Sequence, residues 1–168
     1  MQTSSTTHRT WIAIAGGGLA IGTLDLAFAT LYWMRHDIAP VRILQSIATG
    51  WLGDAAYAGG SASAWLGAVS HYLIATTFVA AYHAAARHLP RLLDHPLRYG
   101  IAYGAWLYIA MNFIVLPLSA AGSPGFGNRA WVASSILAHL VFGVMSALSA
   151  RLAAGRGISG RRRAPSAR

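Results

Sequence analysis

Four long apolar stretches dominate this chain, and each carries one strongly polar side chain well inside it: Asp25, His71, Asn112 and His139. That pairing constrains the fold more than any other feature. A helix needs about 20 largely apolar residues to cross a bilayer, and four segments meet that length: 11–34, 62–86, 97–118 and 131–153. Within such a segment an ionisable side chain is expensive, and its default reading is functional.

The first stretch imitates a secretory signal, because Ala27-Phe28-Ala29 looks like a cleavage site. Its apolar run is too long for a signal, however, and Asp25 would interrupt the hydrophobic centre of one. The expectation is a retained span.

Composition agrees with a membrane protein. Of 168 residues, 55% are hydrophobic and 10% charged, against about a quarter charged in an ordinary soluble domain. The net charge of +9 is an arginine pattern, since Lys is absent. These arginines flank apolar segments rather than forming a groove interleaved with aromatics, which excludes nucleic acid as the expected partner. With four spans both termini share a side. That side holds Arg9, Arg87, Arg91, Arg98, Arg151, Arg156, Arg161, Arg162, Arg163 and Arg168, and the other holds Arg35, Arg42 and Arg129. The positive-inside rule then puts both termini in the cytoplasm. The absence of cysteine excludes disulfides, thiolate metal sites and cysteine nucleophiles.

The connections differ in kind. The second, His88 to Pro96, is short and bounded by prolines, which makes spans two and three antiparallel neighbours. The third, Ala120 to Asn128, is a glycine and proline loop. In the first, Val41, Leu44, Ile47, Ala48, Trp51 and Leu52 recur at helical spacing while Arg42, Gln45, Ser46 and Thr49 share the other face. This predicts a short amphipathic helix over 40–53, opened by Pro40 and lying at the outer interface. Arg42 and Gln45 would contribute to the site from that outer face. Ser61 and Ser63 are the expected caps of the second span, and Trp11, Trp33, Trp51, Trp65 and Trp131 an aromatic belt. Residues 1–10 read as a cytoplasmic tail and 154–168 as a disordered basic one, whose arginines retain topology and offer a contact for anionic lipid.

Counted from the outer end of each span, Asp25, His71 and His139 lie nine or ten residues in and Asn112 about six. At 1.5 Å per residue these depths are roughly 9 to 15 Å. Asp25 shares its face with Gly18, Gly22 and Ala29, and His71 with Ala64, Gly67, Ala68 and Ala75. His139 shares its face with Ser135, Gly143 and Ser146. Small residues at such spacing allow close helix approach. The surface around Asn112, formed by Tyr108, Val115, Leu116 and Ser119, is more mixed.

Three readings of this layer compete. The polar groups are interhelical glue, of the kind that contributes about 0.6 kcal/mol per contact. Alternatively they carry a proton or contact a small solute, because desolvation brings carboxyl and imidazole pKa values toward each other. In the third, His71 and His139 ligate haem between helices, or join Asp25 around zinc. No resident cofactor is the base expectation. Gly16 to Gly22 is glycine-rich but lies inside a span with no preceding strand, so it is packing rather than a phosphate cradle. No Ser/His/Asp order or carboxylate pair suggests an enzyme.

Gly18-Leu19-Ala20-Ile21-Gly22, Phe113-Ile114-Val115-Leu116-Pro117-Leu118 and Ala138-His139-Leu140-Val141 resemble segments of small bacterial inner-membrane proteins of the YagU type. The resemblance covers most of the chain as architecture. It departs in the compact first connection and in Asp25. It implies a membrane fold in the bacterial cytoplasmic membrane, draws attention to His71 and His139, and transfers no mechanism.

The expectation is therefore an all-α membrane protein: a four-helix transmembrane bundle over 11–153 with an interfacial helix between spans one and two. Its function is proton or small-solute handling through the Asp/His/Asn layer. The alternatives are a non-catalytic structural or accessory subunit, acting as a homo-oligomer or with a membrane partner, and a bis-His haem bundle.

Overall fold

The computed structural model describes residues 3–156, and these are helical with no strand among them. The helices are α1 (Thr3–Met34), α2 (Pro40–Leu52), α3 (Gly60–His88), α4 (Arg91–Asp94), α5 (Pro96–Ala110), α6 (Leu116–Leu118) and α7 (Arg129–Ala153). A 3-10 segment, Gly53–Ala58, follows α2, and a π-helical turn, Met111–Val115, joins α5 to α6. Four helical segments are long and apolar enough to cross a membrane: Thr7–Met34, Gly60–His88, Pro96–Leu118 and Arg129–Ala153. The protein is an all-helical four-span bundle.

The spans match their expected positions to within a few residues. α1 differs at its start: the helix runs from Thr3, so most of the segment read as a tail is helical. The arginine-rich part of the C-terminal tail lies outside the described residues.

Local signals explain the helix ends. Pro40 and Pro96 occupy first-turn positions of α2 and α5, where the missing N–H has no intrahelical partner to lose. α2 stops at Gly53, whose φ of 55° lies in the left-handed region, where glycine carries no Cβ penalty. The Asn128 side chain accepts from Trp131 N–H at 3.0 Å and so caps α7. The second span is capped differently from expectation. Gly59 is its N-cap with no side-chain bond, and Ser63 Oγ instead donates back to Gly60 O.

Packing follows the small residues. A Cβ on Gly104 would overlap the backbone of His139 and Leu140, one on Gly100 the backbone of Val144, and one on Gly143 the backbone of Gly100 and Gly104. Spans three and four thus cross backbone to backbone, through a Gly-x-x-x-Gly pair that lets membrane helices approach. Span one meets span two where Gly18 faces Thr76 and Gly22 faces the Tyr72 ring. Gly67 of span two has another neighbour than a span: the backbone of Leu44 in α2.

α2 is accordingly seated across span two. It buries a mixed face, Ile43, Gln45, Ala48 and Thr49, with Gln45 only 4% exposed. Arg42 and Ser46 are exposed together with the apolar residues Val41, Trp51 and Leu52. At the end of the bundle carrying α2, which we term the loop end, Phe28 stacks on Trp131 at 5.6 Å and Trp33 tilts against it at 5.3 Å. The Tyr32 hydroxyl donates to the Asn128 cap at 3.0 Å.

The opposite, terminal end is sealed. Val79, Tyr82, Leu107 and Ala147 are essentially without solvent exposure. Tyr82 donates to Leu92 O at 3.1 Å and Tyr103 to Phe78 O at 2.7 Å. Buried Arg151 donates to the carbonyls of Leu93 and Asp94, and Arg156 pairs with the Asp94 carboxylate at 2.5 Å. These contacts tie the second connection to the end of α7.

Candidate functional site

Between the sealed end and the loop end lies a cavity of about 990 Å³, and Asp25, His71, Asn112 and His139 all line it. On α7 the lining runs from Trp131 to Ser146, which at 1.5 Å per residue is about 22 Å along the bundle. At the loop end it reaches the exposed residues Tyr57 and Leu118. Most of the wall is apolar, with Ile21, Ile74, Phe78, Leu107 and Phe142 in its deeper part.

Three of the four polar side chains are held by their own helix or by a neighbour. His71 Nε2 is 2.8 Å from Gly22 O. A carbonyl only accepts, so that nitrogen carries the proton and donates. The same Nε2 is 3.9 Å from Asp25 Oδ2. His139 Nδ1 lies 2.8 Å from Ser135 O, which fixes the other tautomer: Nδ1 donates, and Nε2 is left with its lone pair. The Tyr108 ring stands edge-on to His139 at 5.5 Å. Asp25, His71 and His139 face one space, so three of the four groups form one cluster drawn from α1, α3 and α7.

Asn112 comes from the fourth direction, on the π-helical turn. Pro117 lacks an N–H and its ring would clash with the carbonyl four residues back, that of Phe113. The chain absorbs this by widening: Leu116 N–H donates to Met111 O, five residues back. Such single π-turns recur at functional sites. Asn112 Nδ2 donates to Tyr108 O at 2.9 Å, leaving Oδ1 as an acceptor.

The outer-face contributors divide. Arg42 lines the cavity at its loop end, donating to Gln45 Oε1 at 3.2 Å and to Tyr57 O at 3.0 Å, with its guanidinium 4.7 Å from the Tyr57 ring centre. Gln45 is a brace rather than a lining residue: its amide donates to Gly60 O at 3.1 Å and anchors α2 to the start of span two. A further polar link escaped the sequence reading. His83 Nε2 is 3.1 Å from Ser149 Oγ, which donates to Ala13 O at 3.0 Å, so three helices are joined beyond the cavity floor. Its sequence signal was a second histidine within span two, four residues before Arg87.

The donor geometry does not fit a metal centre. Among the described residues no group of three or more ligating side chains is placed to hold an ion. For a bis-His haem both imidazoles must offer a bare nitrogen across the site. His139 offers Nε2, but His71 Nε2 is committed to Gly22 O, which leaves it only Nδ1, the nitrogen crowded by its own Cβ. Neither the zinc nor the haem arrangement fits the side chains as they stand.

Comparison with protein-family models, with curated proteins and with solved structures finds no match for this chain.

Proposed function

We propose that this is a multi-pass protein of the bacterial cytoplasmic membrane, with both termini cytoplasmic, that binds and exchanges a small solute and a proton at the Asp25–His71–His139–Asn112 cluster. One observation carries the reading: four polar side chains from four different spans line a single cavity that is open at the loop end and sealed at the terminal end. Glue alone leaves no reason for a cavity of that size around these four groups. A few polar groups converging in a largely apolar pocket is the usual form of a small-molecule site. The arginine distribution supports the orientation, with the cavity facing away from the cytoplasm.

The accessory-subunit reading has one observation in its favour: His71 spends a proton on the Gly22 carbonyl and so joins spans one and two. That contact orients His71 and leaves Asp25, His139 and Asn112 Oδ1 turned to the cavity without it.

The test uses purified protein in vesicles with a trapped pH dye and an imposed pH difference, challenged with small amines, carboxylic acids and neutral solutes. At least one class should collapse the gradient faster than in protein-free vesicles, and Asp25→Asn and His139→Ala should abolish the excess while melting normally. Equal rates in wild type, variants and empty vesicles for every class would overturn the proposal.

A further inference from the structure

Around Asp25 the cavity offers acceptors. No donor among the described residues makes a hydrogen bond to Asp25; His71 Nε2, at 3.9 Å, already donates to Gly22 O. His139 donates through Nδ1 to Ser135 O, so its Nε2 is an acceptor. Asn112 has Oδ1 to offer. Of the five lining serines, Ser46, Ser70, Ser119 and Ser146 give their hydroxyl proton to the carbonyls of Ile43, Leu66, Leu116 and Phe142, and Ser135 keeps a hydroxyl that can donate. Arg42, the strongest donor, stands at the loop end, where its Nη1 donates to Gln45 and Tyr57.

A low-dielectric cavity that presents a carboxyl group and acceptors needs its donors and its positive charge from the ligand, because an unmatched polar group there is costly. The apolar wall needs a ligand with an apolar body. Phe78, Phe142, Trp33 and Trp131 line the same space, and aromatic faces attract cations. We infer that the ligand is a lipophilic primary or secondary ammonium, its N–H groups directed at Asp25, His139 Nε2 and Asn112 Oδ1, and its apolar body against Ile74, Phe78 and Phe142.

The inference rests on the proposed function and names the solute class of that same site. It also gives the proton a role. An ammonium that pairs with a protonated Asp25 releases that proton, R–NH3+ and Asp25–COOH becoming R–NH3+ paired with Asp25–COO− plus H+. Proton and ligand then compete for one carboxyl group, and binding weakens as pH falls.

Dansyl cadaverine, a primary ammonium on a fluorescent apolar body, is the probe. Its N-acetyl derivative is the neutral control and dansyl-6-aminohexanoate the anionic one. In lipid nanodiscs the amine should saturate at concentrations at least tenfold lower than either control. Asp25→Asn should remove that advantage and leave the neutral probe unaffected. The comparison among the three probes needs only the wild-type chain, so it decides even if Asp25→Asn fails to fold. Equal affinity for amine and amide, with both weakened by His139→Phe, overturns the ammonium inference and leaves the proposed function standing. If no probe of any charge saturates, and the vesicle assay finds no gradient collapse, both fall.

Discussion

His71 Nε2 lies 3.9 Å from Asp25 Oδ2 across the contact between spans one and two, while its proton is directed at Gly22 O 2.8 Å away. The pair is therefore poised short of a hydrogen bond: neutral His71 holds the helices together, and protonated His71 gains an ion-pair partner. The two side chains therefore interact as a weak polar contact between spans one and two. A double-mutant cycle with Asp25→Asn and His71→Gln, read by thermal melting in detergent, should give about 0.6 kcal/mol and at most about 1.7 kcal/mol, the range measured for polar contacts in a membrane protein. Strict additivity would show that the two groups do not interact.

The close approach of spans three and four makes a second prediction. His139 is placed by its backbone, since Gly104 packs directly on the carbonyl of His139 and on Leu140. A side chain on Gly104 meets backbone, which cannot swing aside. Gly104→Leu should therefore force the helices apart and destabilise the protein by about 1 to 3 kcal/mol, the usual scale of overpacking. Gly104→Ala should fall lower in that range. Melting temperatures of the two variants check this. The same variants should weaken probe binding at the cavity, because His139 moves with its helix.

Much of this architecture is legible from hydropathy and helical rise. The four spans follow from the length of their apolar runs, and a common depth for Asp25, His71 and His139 follows from counting residues along antiparallel helices. Rotation about each helix axis is another matter. The small residues beside His71 suggest close packing, yet Gly67 takes α2 rather than another span. The Gly100 and Gly104 pair was readable by its spacing, but a glycine pair does not say which helix it receives. In α2, amphipathicity tells which residues share a face but not which of them the bundle takes: Ile43, Gln45, Ala48 and Thr49 are buried together, and Arg42 and Ser46 stay exposed. Gln45 and Thr49 are buried because the interior they meet carries acceptors such as Gly60 O. The π-turn around Asn112 is invisible to a period of 3.6 residues; Pro117 was its one local signal.

That turn yields a third prediction. With alanine at position 117 an N–H becomes available to the Phe113 carbonyl, and the proline ring clash disappears. The segment Met111–Val115 can then close to an ordinary α-helix, which turns Asn112 by part of a residue step relative to α6. Pro117→Ala should keep or raise the melting temperature while lowering affinity for the amine probe by several-fold. A loss of stability with unchanged binding would mean that the proline, and not the widened turn, is what the third span needs.

The lack of cysteine permits a direct test of the cavity and of its orientation. Single cysteines at Ser135, Asn112 and Trp131 replace side chains that line the cavity, whereas cysteines at Ala147 and Val79 replace ones with no solvent exposure. In intact cells a small charged thiol reagent that does not cross the membrane should modify the first three and spare the last two. Loop-end access and an outward-facing loop end are both needed for that pattern. If the three cavity positions react only after the cells are opened, the cavity faces the cytoplasm and the arginine distribution has been read with the wrong sign. Were they unreactive even then, in protein that melts normally, water would not reach Asp25 and the exchange of a solute or proton there would have no route. Saturating amine probe should slow the labelling at Ser135→Cys, beside the cluster, more than at Trp131→Cys near the loop end.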